Sequence, residues 1–180
     1  MTDRLRIALA QLNPKVGDLV GNLALARQAL ADAQAAQADI LLLSELFLTG
    51  YFPDDLLFKP KFVTDAMQAA RDLVADTAGT DVALVLPTVW LGNTGLHNAV
   101  LVAENGEIIA TRLKRELPNV DVFYEKRYFT AGPPADPVVI KGVPIGIPIC
   151  EDIWHPSVCE HLAMRGAEIM LCPNGSPYWT

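Results

Sequence analysis

Hydrophobic and polar positions fall along this chain in short blocks whose period switches between that of a strand and that of a helix. Leu5 to Leu12 ("LRIALAQL") reads as a first strand, closed by the Asn13-Pro14 turn signal. Asn22 is then placed to cap a helix running to about Ala38, with Leu23, Ala26, Leu30 and Ala33 on one face. Asp39 to Leu46 ("DILLLSEL") is a continuous apolar run, the pattern of a strand buried on both faces. An aromatic- and proline-bearing loop follows, then a helix near Phe62 to Thr77 and a third strand from Asp81 to Val89.

The second half is richer in turns. His97 to Arg115 reads as a hairpin turning at Glu104-Asn105-Gly106. Residues 116–132 ("ELPNVDVFYEKRYFTAG") are polar and aromatic without a period, and read as an ordered loop. Residues 137–150 give two strands around Lys141-Gly142, followed by a helix near Ser157 to Arg165 and a last strand from Ala167 to Pro173. The layout is α/β and one domain over residues 1–180. Two hairpin turns imply antiparallel pairs, which disfavours a purely parallel doubly wound sheet. The chain stops at "NGSPYWT", directly after a strand and without a closing helix, so a longer parent molecule is expected.

Composition narrows the function classes. With 51% hydrophobic and 19% charged residues, the chain has the make-up of a soluble globular protein able to build one core. Its net charge of −7, with no lysine or arginine cluster against it, argues against nucleic acid as a partner. Charges reach up to the first short apolar segment, which does not resemble a secretory signal, and no run is long enough for a membrane span. Three irregularly spaced cysteines form no disulfide framework, so the expected compartment is the cytoplasm.

Three strand exits carry a reactive group: Glu45, Lys114 and Cys150. A thiol needs a base or cationic neighbours to become a nucleophile, and a carboxylate with a lysine would complete a cysteine-hydrolase set. Taken singly, each has a bland reading as an edge carboxylate, a solvated charge or a core thiol. A cysteine–histidine pair would need His97, His155 or His161, and a zinc site would draw on Cys150, His155, Cys159, His161 and Cys172. His155 is too near Cys150 in sequence for the usual pairing, and the cysteine spacing matches no common zinc pattern, so no metal is expected.

The motifs "LLLSELFLTGY", "KRELPN…VFYEKRYF" and "GIPICEDIW" resemble, in order, the three signature blocks of the nitrilase superfamily of carbon–nitrogen hydrolases. "TGYFPDDLLFKPKFV" and "PNGSPYW" are more similar to its glutaminase branch, found in glutamine-dependent NAD+ synthetases. The resemblance implies a nitrilase-like αββα sandwich of two mixed sheets covered by helices, incomplete at its C-terminus. It implies Glu45 as general base, Lys114 as oxyanion-stabilising cation, Cys150 as nucleophile and Glu125 as a supporting carboxylate. Glutamine contacts are implied for Val120, Glu151 and Ser176. The family loop reads Leu-Pro-Asn-Tyr-Gly-Val-Phe-Asp-Glu, so Val120, Asp121 and Tyr124 depart from it, and Asp121 replaces a glycine.

In that family the released ammonia amidates deamido-NAD+ in a separate synthetase domain that uses ATP and Mg2+. No glycine- and serine-rich pyrophosphate loop occurs before Thr180, so this chain is expected to be a C-terminally truncated glutaminase domain. It would need no cofactor of its own, would meet deamido-NAD+ and ATP only through the other domain, and would belong to a homo-oligomer. Unpaired strand edges are expected to promote association. Two alternatives stay open: a stand-alone amidase or nitrilase acting on another amide, and a non-catalytic remnant serving as an interaction module.

Overall fold

The computed structural model describes residues 4–120 and 123–176. Five strands form the first sheet in the order β1 (Ile7–Ala10), β2 (Ile40–Leu43), β3 (Ala83–Gly92), β4 (Gly95–Glu104) and β5 (Glu107–Leu113). Strands β1, β2 and β3 are parallel, while β4 runs against both β3 and β5. The second sheet holds β6 (Val138–Ile140), β7 (Val143–Gly146) and β8 (Ile169–Met170), the first pair antiparallel and the second parallel. Both sheets are mixed.

The two hairpins follow from their turn residues. Asn105 and Gly106 have φ of 49° and 83°, and Lys141 and Gly142 have φ of 51° and 82°. Two successive left-handed residues make a two-residue turn whose twist matches the flanking strands, and asparagine–glycine is the sequence best suited to it.

The unbroken apolar run of β2 is explained by what lies on either side. Leu41 and Leu43 pack with Ala26 and Leu30 of α1 (Leu19–Ala35) and with Ala70 and Leu73 of α2 (Pro60–Ala75). Ile40 and Leu42 point the other way, into a layer shared with Ile140, Ile145 and Ile149 of the second sheet. β3 and β4 alternate likewise, with Leu84 and Leu101 under the helices and Val85 and Val100 between the sheets. On the outer face of the second sheet lies α3 (Pro156–Met164), so close that a Cβ on Gly146 would stand 3.3 Å from Leu162 Cδ1. The layers are therefore helix, sheet, sheet, helix, the αββα arrangement.

The start of α1 differs from the sequence expectation. The helix begins at Leu19, capped by Asp18, whose carboxylate accepts the Gly21 N–H at 2.9 Å. Asn22 is buried inside the first turn, where its amide exchanges two hydrogen bonds with the Lys15 backbone and donates to the Leu48 carbonyl at 2.9 Å. An ionised cap tolerates water and favours the positive helix end; a neutral amide suits the buried position, where two backbone segments need partners. The last strand is also shorter than expected, and Cys172 lies beyond it, half-buried.

Because β5 runs parallel to β2, their C-terminal exits lie at one end of the sheet, where β4 also begins. The exits of β7 and β8 face this end from the second sheet.

Replacing fully buried Leu84 with alanine is expected to cost about 2–5 kcal/mol in urea denaturation. Val139→Thr, on the exposed face of β6, is expected to stay within about 0.5 kcal/mol of wild type.

Candidate active site

Glu45 sits just past β2, Lys114 directly after β5, and Glu125 opens a single 3₁₀ turn over Glu125–Arg127. All three side chains are buried. Lys114 Nζ donates to Glu45 Oε1 at 2.7 Å and to Glu125 Oε1 at 2.7 Å. Cys150 begins a second 3₁₀ turn, Cys150–Trp154, and is 5% exposed, its thiol against the Glu45 carboxylate. The structure thus brings four sequence-predicted residues from four separate segments into one dry cluster.

The backbone presenting them is unusual. Cys150 and Leu46, the residue after Glu45, both have positive φ, at 46° and 50°. Left-handed backbone at non-glycine residues costs energy and persists only where the surroundings hold it. The holding segment is the exit of β8. The Cys150 N–H donates to the Pro173 carbonyl at 3.0 Å, and the Glu45 N–H to the Asn174 carbonyl at 3.4 Å. Gly175 lies so close that an added Cβ would fall 2.8 Å from the Tyr51 ring and 3.0 Å from Glu45 Oε2.

Asp152 supplies a second tie. Its buried carboxylate accepts from the N–H groups of Ile149 at 2.9 Å, Glu116 at 2.8 Å and Arg115 at 3.2 Å. One side chain therefore joins the cysteine turn to the segment following Lys114. Asn98, on β4, donates to Glu45 Oε1 at 2.8 Å, and the Tyr51 hydroxyl donates to Glu125 Oε1 at 3.1 Å. Sequence alone assigned no role to Asn98, Tyr51, Asp152 or Gly175, although Tyr51, Asp152 and Gly175 lie inside the quoted motifs.

Electrostatics follow from burying two carboxylates around one cation. Burial alone would lower the Lys114 pKa, but Glu45 and Glu125 more than offset this and hold the ammonium above its ordinary value. Burial pushes Glu125 up to about 7, with the Glu45 charge acting in the same direction and Lys114 opposing it. Burial, aided by Glu45, pushes the Cys150 thiol up to about 12, against the Gly175 N–H and Lys114. Tyr51 is likewise raised by burial and the two carboxylates, so its phenol stays protonated as a donor. The resting state is a neutral thiol beside a charged carboxylate–lysine group.

Glu45 and Tyr51 line a cleft of about 520 Å³ together with Ser44, Phe123, Asn174 and Ser176, among others; Cys150, Lys114 and Glu125 are not among the described residues that line it. Of the expected glutamine contacts, Ser176 is in this wall. Val120 is 65% exposed and Glu151 lies beside His155 at 3.4 Å; neither is among the described residues that line the cleft. Asp121 lies outside the described residues, as do the last residues of the "PNGSPYW" motif.

The histidines are engaged elsewhere: His97 with Thr94 and Thr130, His155 with Glu151, and His161 near Asp136. Among the described residues no group of three or more His, Cys, Asp or Glu side chains is arranged to hold a metal. Among the same residues no helix is long and apolar enough to cross a membrane.

The helix–sheet–sheet–helix sandwich is shared with solved carbon–nitrogen-bond-hydrolysing amidases and with a glutamine-dependent synthetase. The carbon–nitrogen hydrolase family model matches residues 6–180, and the chain belongs to that family. It is 48% identical over 178 residues to a glutamine-dependent NAD(+) synthetase of Rhodobacter capsulatus, covering 99% of this chain and 32% of that protein. The chain thus spans about a third of the length of the curated relatives it matches. The solved synthetase of Acinetobacter baumannii, bound to ADP, superposes with a TM-score of 0.91 at 31% identity, over 97% of this chain and 33% of that one. An amidase of Nesterenkonia sp. AN1, whose active-site cysteine carries a Michael adduct of acrylamide, gives 0.80 at 28%, over 95% and 67%.

A carboxyl held above its unfolded-state value near 4.5 adds stability at low pH that is lost as the pH rises to about 7. Glu125→Gln cannot titrate. It leaves a neutral amide beside Lys114 at every pH, and its melting-temperature deficit against wild type is expected to narrow from pH 4.5 to 7 and then level off. A deficit independent of pH across this window contradicts the raised carboxyl.

Proposed function

We propose that this chain is the glutaminase part of a longer glutamine-dependent NAD+ synthetase, and that Glu45, Lys114 and Cys150 carry out the hydrolysis. The observation that carries the reading is the buried lysine 2.7 Å from each of two carboxylates, with a thiol against one of them. This is the set of groups that cysteine-based amide hydrolysis requires.

The chemistry runs in two halves. A thiol held at about 12 is not a standing thiolate, so its proton must leave as sulfur attacks. Glu45 is placed to take it: Oε1 is occupied by Lys114 and Asn98, while buried Oε2 has no partner among the described residues. The sulfur bonds to the side-chain amide carbon of glutamine, and the carbonyl oxygen becomes an oxyanion facing the Lys114 ammonium and a backbone N–H of the cysteine turn. Collapse expels ammonia, which receives the proton from Glu45 and leaves a γ-glutamyl thioester. Water, deprotonated by Glu45, then hydrolyses the thioester to glutamate and restores the thiol. Glu125 keeps Lys114 charged and in place.

Ser176 is the glutamine contact that the cleft supports; for Val120 and Glu151 the support is the family resemblance alone. No cofactor enters these steps. In the parent enzyme the ammonia passes to a synthetase domain, where ATP and Mg2+ activate deamido-NAD+ for amidation, and the parent assembles as a homo-oligomer.

The test is glutamate release from glutamine by the purified chain. Wild type is expected to turn over, Cys150→Ala and Glu45→Gln to fall to background, and Lys114→Met to lose about 10²–10³ in kcat, the effect of removing one oxyanion donor. Hydrolysis of small aliphatic amides in place of glutamine would favour a stand-alone amidase. A folded chain inert toward both would favour the non-catalytic remnant.

A further inference from the structure

We propose that Asn98 is a positioning residue that selects which oxygen of Glu45 acts as the base; the proposal rests on the reading of Glu45 given above. Asn98 lies on β4 next to an unbroken buried apolar run, Ala99 to Ala103, and is itself fully buried. A polar amide at such a strand position requires partners. It finds them in the cluster: Nδ2 donates to Glu45 Oε1 at 2.8 Å and lies 3.4 Å from Glu125 Oε2. Its backbone carbonyl accepts the Lys114 N–H at 2.8 Å, which keeps the amide side chain and the lysine in fixed relation.

Asn98 Nδ2 and Lys114 Nζ converge on the same Glu45 oxygen, Oε1. Two donors on one oxygen fix the rotation of the carboxylate and spend the basicity of that atom. The other oxygen, Oε2, has no hydrogen-bond partner among the described residues and abuts Gly175, which itself donates to the Cys150 sulfur. The oxygen left for proton transfer is thus the one on the Gly175 side of the carboxylate, and the thiol lies against that same carboxylate.

The orientation of the amide has a cost that reveals its purpose. With Nδ2 turned to the carboxylates, the buried Oδ1 has no hydrogen-bond partner among the described residues. The flipped amide would set Oδ1 against two carboxylates, so the site dictates the orientation and strands the acceptor. An apolar side chain of similar size would strand no acceptor of its own, but it would take the donor from Glu45 Oε1 and from Glu125 Oε2, so the stranded Oδ1 is the cost of serving both carboxylates. A cation at this position would serve less well, because it would add to Lys114 in neutralising Glu45. The charged and titratable groups around the amide are Glu45, Glu125 and Lys114, with Tyr51 and Cys150 beyond them.

The experiment compares the pH profiles of kcat and KM for glutamine in wild type, Asn98→Ala and Asn98→Leu, with active enzyme counted by stoichiometric labelling of Cys150. Both variants are expected to lose 10- to 100-fold in kcat per labelled site with KM within about threefold, because the Phe123, Asn174 and Ser176 walls are untouched. Asn98 is one of the donors that hold the raised Glu125 carboxyl down, so its loss favours protonation within the carboxylate pair and the acid limb of kcat is expected to move to higher pH. Asn98→Leu keeps the volume and removes the stranded acceptor, which guards against a variant that merely misfolds. An active wild type with unmoved acid limbs, or with the loss confined to the count of labelled sites, would overturn the positioning role alone. A wild type that hydrolyses no amide would overturn the functional reading and this proposal with it.

Discussion

Lys114 is a fully buried ammonium whose charge is balanced by two buried carboxylates, and the rest of the site is arranged around that demand. Desolvating a lysine is costly unless its partners are close and themselves satisfied, and here each lies at 2.7 Å. Removing the lysine would leave two carboxylates uncompensated in a dry interior, an error typically worth about 3–5 kcal/mol. Burial, with the Glu45 charge beside it, drives Glu125 upward against Lys114, and Tyr51 and Asn98 supply neutral donors to the two acids. Burial and the same Glu45 charge keep the Cys150 thiol protonated at rest.

The sandwich serves this arrangement by sending its strand exits to one place. Glu45 and Lys114 leave parallel strands of one sheet, and Cys150 leaves the other sheet across the shared apolar layer. Neither exit is relaxed, since Leu46 and Cys150 are both held at positive φ. Two ties maintain them. The Pro173–Gly175 segment takes the N–H groups of Glu45 and Cys150, and Asp152 bonds the cysteine turn to the stretch after Lys114. Rigidity at the site therefore comes from hydrogen bonds between loops, while the apolar core fixes the strands that launch them.

Much of this was legible in the sequence, and the parts that were not share a cause. The buried strand at 40–43 and the two hairpins follow from local pattern and turn chemistry, and a mixed sheet follows from the hairpins. Glu45, Lys114, Glu125 and Cys150 stand out because each sits at a strand exit or in a family motif. Asn98 is hidden inside an apolar strand, where one amide looks like any other polar interruption; only the register opposite β5 shows that it adjoins Lys114. Asp152 and Gly175 lie within quoted motifs, yet their work is done through backbone groups, which a sequence does not display. The misplaced cap at Asn22 has the same origin, since its partners at Lys15 and Leu48 lie on other segments. Val120 and Glu151 rest on loop correspondence, and side chains on loops are the least fixed by pattern.

The central claim is that this chain holds an assembled, glutamine-directed cysteine site whose thiol is activated by Glu45. Intact-mass and peptide mass spectrometry after incubation with 6-diazo-5-oxo-norleucine tests it most directly. The account predicts one adduct, on Cys150, suppressed by glutamine and absent from Glu45→Gln. A well-folded chain that gains no adduct, or is labelled as readily on Cys159 or Cys172, would contradict it.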